Sequence, residues 1–394
     1  MPSYSAFLNK KLTEMKVLLL TCNTGEGHNS AAKAIFGYLN AKGIECEIKD
    51  ALTLASEDIS KMVSNLYLKS TETPEVFKRI YKTGEMVSDT INVKSVVYLA
   101  NKLYSGNLLE YIQKKGFDTV VCVHIFPAEA MTALKRNGKL SCKSLFVMTD
   151  YTCIPFLDEI EPDCFVIPHE HLVEEFVMKG VPRQKIYPLG IPVDMRFLTK
   201  MEKPEARLLV AQEFNWMMEN EDMTSNWFLI MSGSMGFGNV TSIVEKLLAK
   251  TDEQDKVVVV CGRNAELQGQ METEFAGQPN VFPIGFTDKI PELMDACDVL
   301  FTKPGGISST EAVIKQIPIV HTAPIPGCET RNAEFFHYHN LSYSTEDVEQ
   351  QVVVAVKLCK DIDFRKRMIE AQQREGKPDT LPNILKLMQG KCNL

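Results

Sequence analysis

The sequence predicts an α/β protein of two domains, each built on a parallel sheet. Short apolar runs of strand length alternate with helix-length stretches along most of the chain, the pattern that βαβ crossovers impose. Two of these runs pass directly into a glycine loop and a helix start, TCNTGEGHNSAAKAI at 21–35 and KPGGISSTEAVIK at 303–315, one in each half. A chain of 394 residues also exceeds what one core comfortably holds.

In the first half, apolar runs predict strands near 16–21, 44–49, 119–124, 144–149 and 163–167. Helical stretches are expected at 28–42 and 170–179. The helix at 28–42 carries Ala31, Ala32 and Ala34, small residues that let it pack close to a sheet, with Asn29 or Ser30 as its cap. LGIPVDMRF at 189–197 reads as the crossover between halves. The second half should supply strands at 227–231, 256–261, 281–284, 299–301 and 319–321. Its helices are expected near 240–250, 289–296, 308–316 and 345–360, and a basic amphipathic tail should end in a helix near 381–389.

Composition excludes several classes. Hydrophobic residues make up 45% and charged residues 24%, ordinary for a globular protein. No apolar run reaches the roughly 18–20 residues needed to span a bilayer, and the N-terminus lacks the apolar core of a signal peptide, so a cytoplasmic protein is expected. Eleven cysteines with no C-x-x-C pair argue against a disulfide framework and a zinc site. With a net charge of −8 and no long basic stripe, nucleic acid is an unsuitable partner.

The stretch 299–332 carries the strongest chemical pattern. A strand delivers Gly305 and Gly306 to a helix N-terminus, where backbone N–H groups and the helix dipole favour an anion. Ser308 and Ser309 can add hydroxyl donors. Glu311, about one and a half turns into the helix, can accept from a ribose diol. The same residues would also serve a plain βαβ turn in which the glycines only permit tight packing. In the other glycine loop, His28 stands beside a helix N-terminus with a reference pKa of about 6.5, suited to deprotonate an alcohol near neutral pH or simply to hydrogen-bond the loop.

Residues 61–115 hold nine basic against five acidic residues, with Tyr67, Phe77, Tyr81, Tyr98 and Tyr104 interleaved among Lys61, Lys69, Lys78, Arg79, Lys82, Lys94 and Lys102. From sequence alone they read as two amphipathic helices whose lysines are solvated and whose tyrosines join the core; an anionic membrane face is the other reading.

Taken together, TGEGHNSAAKAI, FPAEAMTALKRNGKL at 126–140, FVMTDYT at 146–152, KIYPLGIPV at 185–193, VVVVCGRNAEL at 257–267, NVFPIGFTDKIPELMDACDVLFTKPGGISSTEA at 280–312 and APIPGCETRNAE at 323–334 resemble the monogalactosyldiacylglycerol synthase and processive diacylglycerol glucosyltransferase family, within glycosyltransferase family 28. The resemblance covers roughly 16–375 in order. It implies a GT-B fold, two Rossmann-like domains with parallel sheets facing across a cleft. Residues 1–192 would form the acceptor- and membrane-binding domain and 193–365 the UDP-sugar domain, with 366–394 a helical tail returning to the first.

The implied activity is inverting transfer of a hexose from a UDP-sugar to a lipid alcohol, 1,2-diacylglycerol, by a peripheral protein on the inner membrane face. No metal or other cofactor is implied, the UDP-sugar being a substrate. His28 matches the general base, with Asp150 as second choice or partner; Asp150 reads equally as a turn acid. On the donor side, Arg263, Phe286, Gly305, Gly306, Ser308, Ser309, Glu311, Glu329 and Asn332 lie in segments that resemble the family's motifs, and Gly233 and Ser234 belong to a further glycine loop of the donor domain. Glu329 and Asn332 would read the sugar or its phosphates, and Phe286 would contact the uracil through its backbone. The chain departs from the family at Ile125, where the family has a proline, and at Ile154, where many members carry a histidine, so acceptor chemistry assigned to that histidine does not carry over. Cys328 and Arg331 also depart, so donor-sugar preference does not carry over either. A sugar-nucleotide 2-epimerase and a non-catalytic UDP-sugar-binding regulator of the same fold remain alternatives.

Overall fold

The structure, a computed structural model, describes residues 15–22, 26–55, 96–217, 223–231 and 239–391. It divides into two compact units. The first comprises Met1–Met195, Pro326–Cys328 and Lys377–Leu394, and the second Arg196–Ile325 and Glu329–Gly376.

The first unit is a parallel sheet of β1 (Lys16–Thr21), β2 (Glu45–Asp50), β3 (Thr119–Cys122), β4 (Lys143–Val147), β5 (Cys164–Val166) and β6 (Ile186–Tyr187), in spatial order β2-β1-β3-β4-β5-β6. Its helices are α1 (Glu26–Ala41), α2 (Val96–Leu103), α3 (Ser105–Lys115), α4 (Ile125–Arg136) and α5 (Val173–Met178). Val17, Leu18, Leu19 and Leu20 are each 0% exposed, because a central parallel strand is covered on both faces. The chain leaves β1 toward one edge and β3 toward the other. Such a switch point opens a crevice at the carboxyl ends of two neighbouring strands.

Helix α1 starts at Glu26, two residues before the expected start, so Asn29 and Ser30 lie inside the helix and do not cap it. Asn29 instead accepts a hydrogen bond from the Thr21 hydroxyl at 2.9 Å. Helix α4 was not expected. His124 caps it by accepting from the Phe126 amide at 3.2 Å, and Pro127 is tolerated because it falls in the first turn.

The second unit repeats the scheme with β7 (Trp227–Met231), β8 (Lys256–Gly262), β9 (Val281–Gly285), β10 (Val299–Thr302), β11 (Ile319–His321) and β12 (Tyr343–Ser344), in order β12-β11-β10-β7-β8-β9. Every pair is parallel. Its helices are α6 (Lys203–Phe214), α7 (Val240–Leu248), α8 (Ala265–Glu274), α9 (Ile290–Ala296), α10 (Gly306–Lys315), α11 (Cys328–Tyr338), α12 (Val348–Lys360) and α13 (Ile362–Glu375). The switch point falls between β7 and β10. Its periphery is fixed by two buried ion pairs. Arg207 of α6 meets Asp298 at 2.9 Å, and Lys315 at the end of α10 meets Asp295 at 2.5 Å.

A last helix, α14 (Thr380–Met388), belongs to the first unit and packs on α1. The Thr380 hydroxyl donates to the Leu189 carbonyl at 2.8 Å, and Lys143 donates to the Leu387 carbonyl at 2.5 Å. Gly190, with φ +104°, passes so close that a Cβ there would collide with Thr380 and Lys377. The ten described cysteines are all free.

Candidate functional site

Both switch points carry the residues that the motifs single out. In the second unit, β10 ends at Thr302 and α10 begins at Gly306, with Gly305 as its N-cap in extended conformation (φ −72°, ψ 138°). Neither backbone strain nor packing requires glycine at 305: the nearest atom to an added Cβ would be Glu329 Oε1, 4.0 Å away. Its missing side chain leaves space in front of a helix N-terminus, bordered by the Glu329 carboxylate.

The amides divide unequally. The Gly305 N–H donates to the Lys303 carbonyl at 2.8 Å and is spent. The Ser309 N–H makes the first helical bond, to the Gly305 carbonyl at 3.0 Å. The amides of Gly306, Ile307 and Ser308 lie between them, the first-turn groups that a helix leaves without partners of its own.

Ser309 was expected to face the ligand, and the structure corrects this. It is 0% exposed, and its hydroxyl lies 3.0 Å from His321 Nε2 on the inner side of the helix. Ser308 and Glu311 are both half-exposed and three residues apart, so they share one helix face.

Glu329 and Asn332, on α11, border the same loop. Asn332 is fully buried and donates through Nδ2 to the Pro304 carbonyl at 3.0 Å. Glu329 Oε2 accepts from the Ile325 amide at 2.9 Å, and its Oε1 pairs with Lys303 Nζ at 2.6 Å. Lys303 was not anticipated. The available signal was its place just ahead of Pro-Gly-Gly at a strand end, where an ammonium adds to the positive end of the helix.

Arg263 and Phe286 follow the neighbouring strands β8 and β9, whose last residues Gly262 and Gly285 are paired. The Arg263 guanidinium lies 4.8 Å from the Phe286 ring centroid, and the ring is 69% exposed. Gly233 and Ser234 lie outside the described residues.

In the first unit, His28 is the third residue of α1. Its Nδ1 stands 2.8 Å from the Val123 carbonyl, just beyond β3. A carbonyl can only accept, so Nδ1 carries the proton and Nε2 is left as the basic nitrogen. The Thr149 hydroxyl lies 3.2 Å from the same Nδ1. Burial pushes the His28 pKa down, while the charge of Asp150 and the Val123 bond pull the other way. His124 packs edge-on against His28 at 4.6 Å, and burial together with His28 holds its pKa well below the usual value. Both rings are therefore neutral near pH 7, the state a base must be in. Behind them, Asn101 donates to Glu129 at 2.6 Å in the core.

The proposed membrane segment lies partly outside the described residues: 61–95, with Tyr67, Phe77 and Tyr81, is among those not described. In the remainder, the expected surface aromatics are core residues, since Tyr98 is 6% and Tyr104 1% exposed. What faces outward there is Leu99, at 52%, Leu103, at 68%, and the exposed Lys102.

Two family models match, described as monogalactosyldiacylglycerol (MGDG) synthase over residues 28–193 and glycosyltransferase family 28 C-terminal domain over 228–381. A processive diacylglycerol beta-glucosyltransferase of Bacillus mycoides is 29% identical over 377 residues, 94% of this chain and 92% of the relative. Among solved structures, MurG of Acinetobacter baumannii is similar at TM-score 0.60 with 13% identity, covering 95% of this chain and 99% of that one. The UDP-GlcNAc 2-epimerase of Neisseria meningitidis, solved with UDP-GlcNAc, is similar at 0.61 with 14% identity, covering 95% and 100%. At such identities the structural likenesses establish the fold alone.

Proposed function

The chain belongs to the monogalactosyldiacylglycerol synthase and processive diacylglycerol glucosyltransferase family of GT-B glycosyltransferases, and we propose that it moves a hexose from a UDP-sugar to the free hydroxyl of 1,2-diacylglycerol with inversion. The observation that carries this reading is the 2.8 Å approach of His28 Nδ1 to the Val123 carbonyl, which fixes the tautomer. With Nδ1–H committed to the Val123 carbonyl, Nε2 is available to take the proton of an acceptor alcohol. The alcohol oxygen then attacks the anomeric carbon as the bond to the UDP oxygen breaks, a single displacement that inverts the centre. Asp150 raises the affinity of His28 for that proton through its charge, which favours the imidazolium formed in the transition state.

The leaving diphosphate would sit at the start of α10. The amides of Gly306, Ile307 and Ser308, with the Ser308 hydroxyl, supply donors there, each charge-assisted bond contributing roughly 1.5–3 kcal/mol. Lys303 is already paired with Glu329, so the helix N-terminus and its amides provide the counter-charge, and we infer no cation requirement. Glu311 would accept from the ribose diol, and Arg263 with Phe286 would border the base. Glu329 and Asn332 act by holding Lys303 and the Pro304 carbonyl in place.

Among the described residues no helix is long and apolar enough to cross a membrane. We propose peripheral attachment to the anionic, cytoplasmic membrane face through the 61–115 segment, where Leu99 and Leu103 offer apolar contact beside Lys102. The test is transfer from labelled UDP-glucose, UDP-galactose and UDP-N-acetylglucosamine to diacylglycerol in vesicles by the purified chain. Release of free sugar or 2-epimerised nucleotide, with no labelled lipid, would refute it.

A further inference from the structure

His321 ends β11 in the core of the second unit, 0% exposed, and both its ring nitrogens are engaged. Nε2 lies 3.0 Å from the Ser309 hydroxyl in the first turn of α10. Nδ1 lies 3.0 Å from the Ser342 hydroxyl and 3.2 Å from that of Ser344 on the edge strand β12. The Phe336 ring packs against it at 5.3 Å. An apolar side chain would fill this place without the desolvation cost of an imidazole. Three hydroxyls are arranged around it instead, so the site is built to keep a polar group.

We propose that His321 is a positioning residue of the donor site: its bond to Ser309 fixes the rotation of α10 about its axis and so aims the Gly306, Ile307 and Ser308 amides. The inference rests on reading α10 as the donor-binding helix. A hydrogen bond is directional where an apolar contact is not, and this one reaches the first turn from a different strand. Burial lowers the His321 pKa to about 3, so the ring is neutral at physiological pH and offers one donor and one acceptor nitrogen. With Ser309 so held, its hydroxyl is also kept from bonding back to the carbonyl of Gly305, the alternative that helical serines adopt and that bends helices.

The test uses substitutions that separate the two nitrogens. A glutamine at 321 reaches where Nε2 stands and keeps a partner for Ser309. An asparagine reaches where Nδ1 stands and keeps partners only for Ser342 and Ser344. Calorimetric titration of the full chain with UDP should find His321→Gln close to the native protein, and His321→Asn and Ser309→Ala weaker by roughly three- to tenfold, the worth of one hydrogen bond. Donor KM should rise in the weak variants with kcat little changed, and thermal midpoints of the Gln and Asn variants should agree. Equal UDP affinity in the Gln and Asn variants would overturn the proposal. Glu311→Ala is the control: if it too leaves UDP affinity unchanged, the nucleotide is not on α10 and the inference falls with that reading.

Discussion

Acidification should weaken the second unit through His321 by an amount the structure sets. The unfolded chain presents this imidazole with a pKa of about 6.5, whereas burial among Ser309, Ser342, Ser344 and Phe336 lowers it to about 3 in the fold. Between these values the unfolded state binds a proton that the native state refuses, so stability falls as pH falls. At pH 5 the unfolded pKa lies 1.5 units above the solution, and at about 1.36 kcal/mol per unit the loss relative to pH 7.5 is about 2 kcal/mol. Other histidines lose stability in the same direction, His28 and His124 among them, so the comparison must be between proteins. Urea unfolding of the native chain and of His321→Gln at both pH values should show the native chain losing about 2 kcal/mol more. Identical losses would mean that the imidazole protonates in the folded state at little cost, and the buried hydroxyl cage would not isolate it.

Four further outcomes are expected. Glu311→Ala should weaken UDP binding in calorimetry while the fold persists, because it removes a half-exposed ribose contact without opening a cavity; unchanged affinity places the nucleotide elsewhere. His28→Ala should cut turnover by roughly 10²–10⁴-fold with UDP binding intact. Since the neutral ring is the active form and its pKa is lowered, the native rate should stay level to below pH of about 6.5 before declining, and near-normal turnover in the variant would pass the base role to Asp150. Replacing Lys78, Arg79 and Lys82 by Ser should reduce sedimentation with anionic vesicles, and added salt should do the same as the Debye length shrinks from about 10 Å at 0.1 M to about 3 Å at 1 M; binding indifferent to both would make those lysines an ordinary solvated face. Gly190→Ala should lower the thermal midpoint, since φ is +104° and the new Cβ meets Thr380 and Lys377, strain costing about 1–3 kcal/mol; an unchanged midpoint would show that the backbone relaxes freely there.

The readable parts of the fold were those whose cause is local. Strand β1 declares itself because Val17–Leu20 is an unbroken apolar run, as a strand buried on both faces must be. Strands β6 and β12, two residues each, carry too little sequence to show any period. Helix α6 was hidden by Arg207, which reads as a surface residue but is 1% exposed because Asp298 and the Trp227 ring receive it. Helix α11 was masked by its own motif, since PGCETRN reads first as a binding loop. The same division holds at the site. Ser308 and Glu311 are grouped by helical spacing alone, whereas Lys303 meets Glu329, and His28 meets Val123, only because the sheets bring distant segments together. Ser309 shows the limit of motif matching: its position fits the pattern, but its side chain points to a histidine on another strand.

The membership of α14 in the first unit has a consequence for synthesis. Leu381, Ile384, Leu385 and Met388 are buried there, and the Leu189 and Leu387 carbonyls receive their partners only when this segment docks. On the ribosome the first unit therefore emerges without one of its packing faces, and must wait while Arg196–Gly376 is made. At about 5–20 residues per second that interval is about 10–40 s. During it the surface of α1 that α14 will cover stays open, so a nascent chain stalled or cleaved before Lys377 presents an apolar face to chaperones and to neighbouring chains.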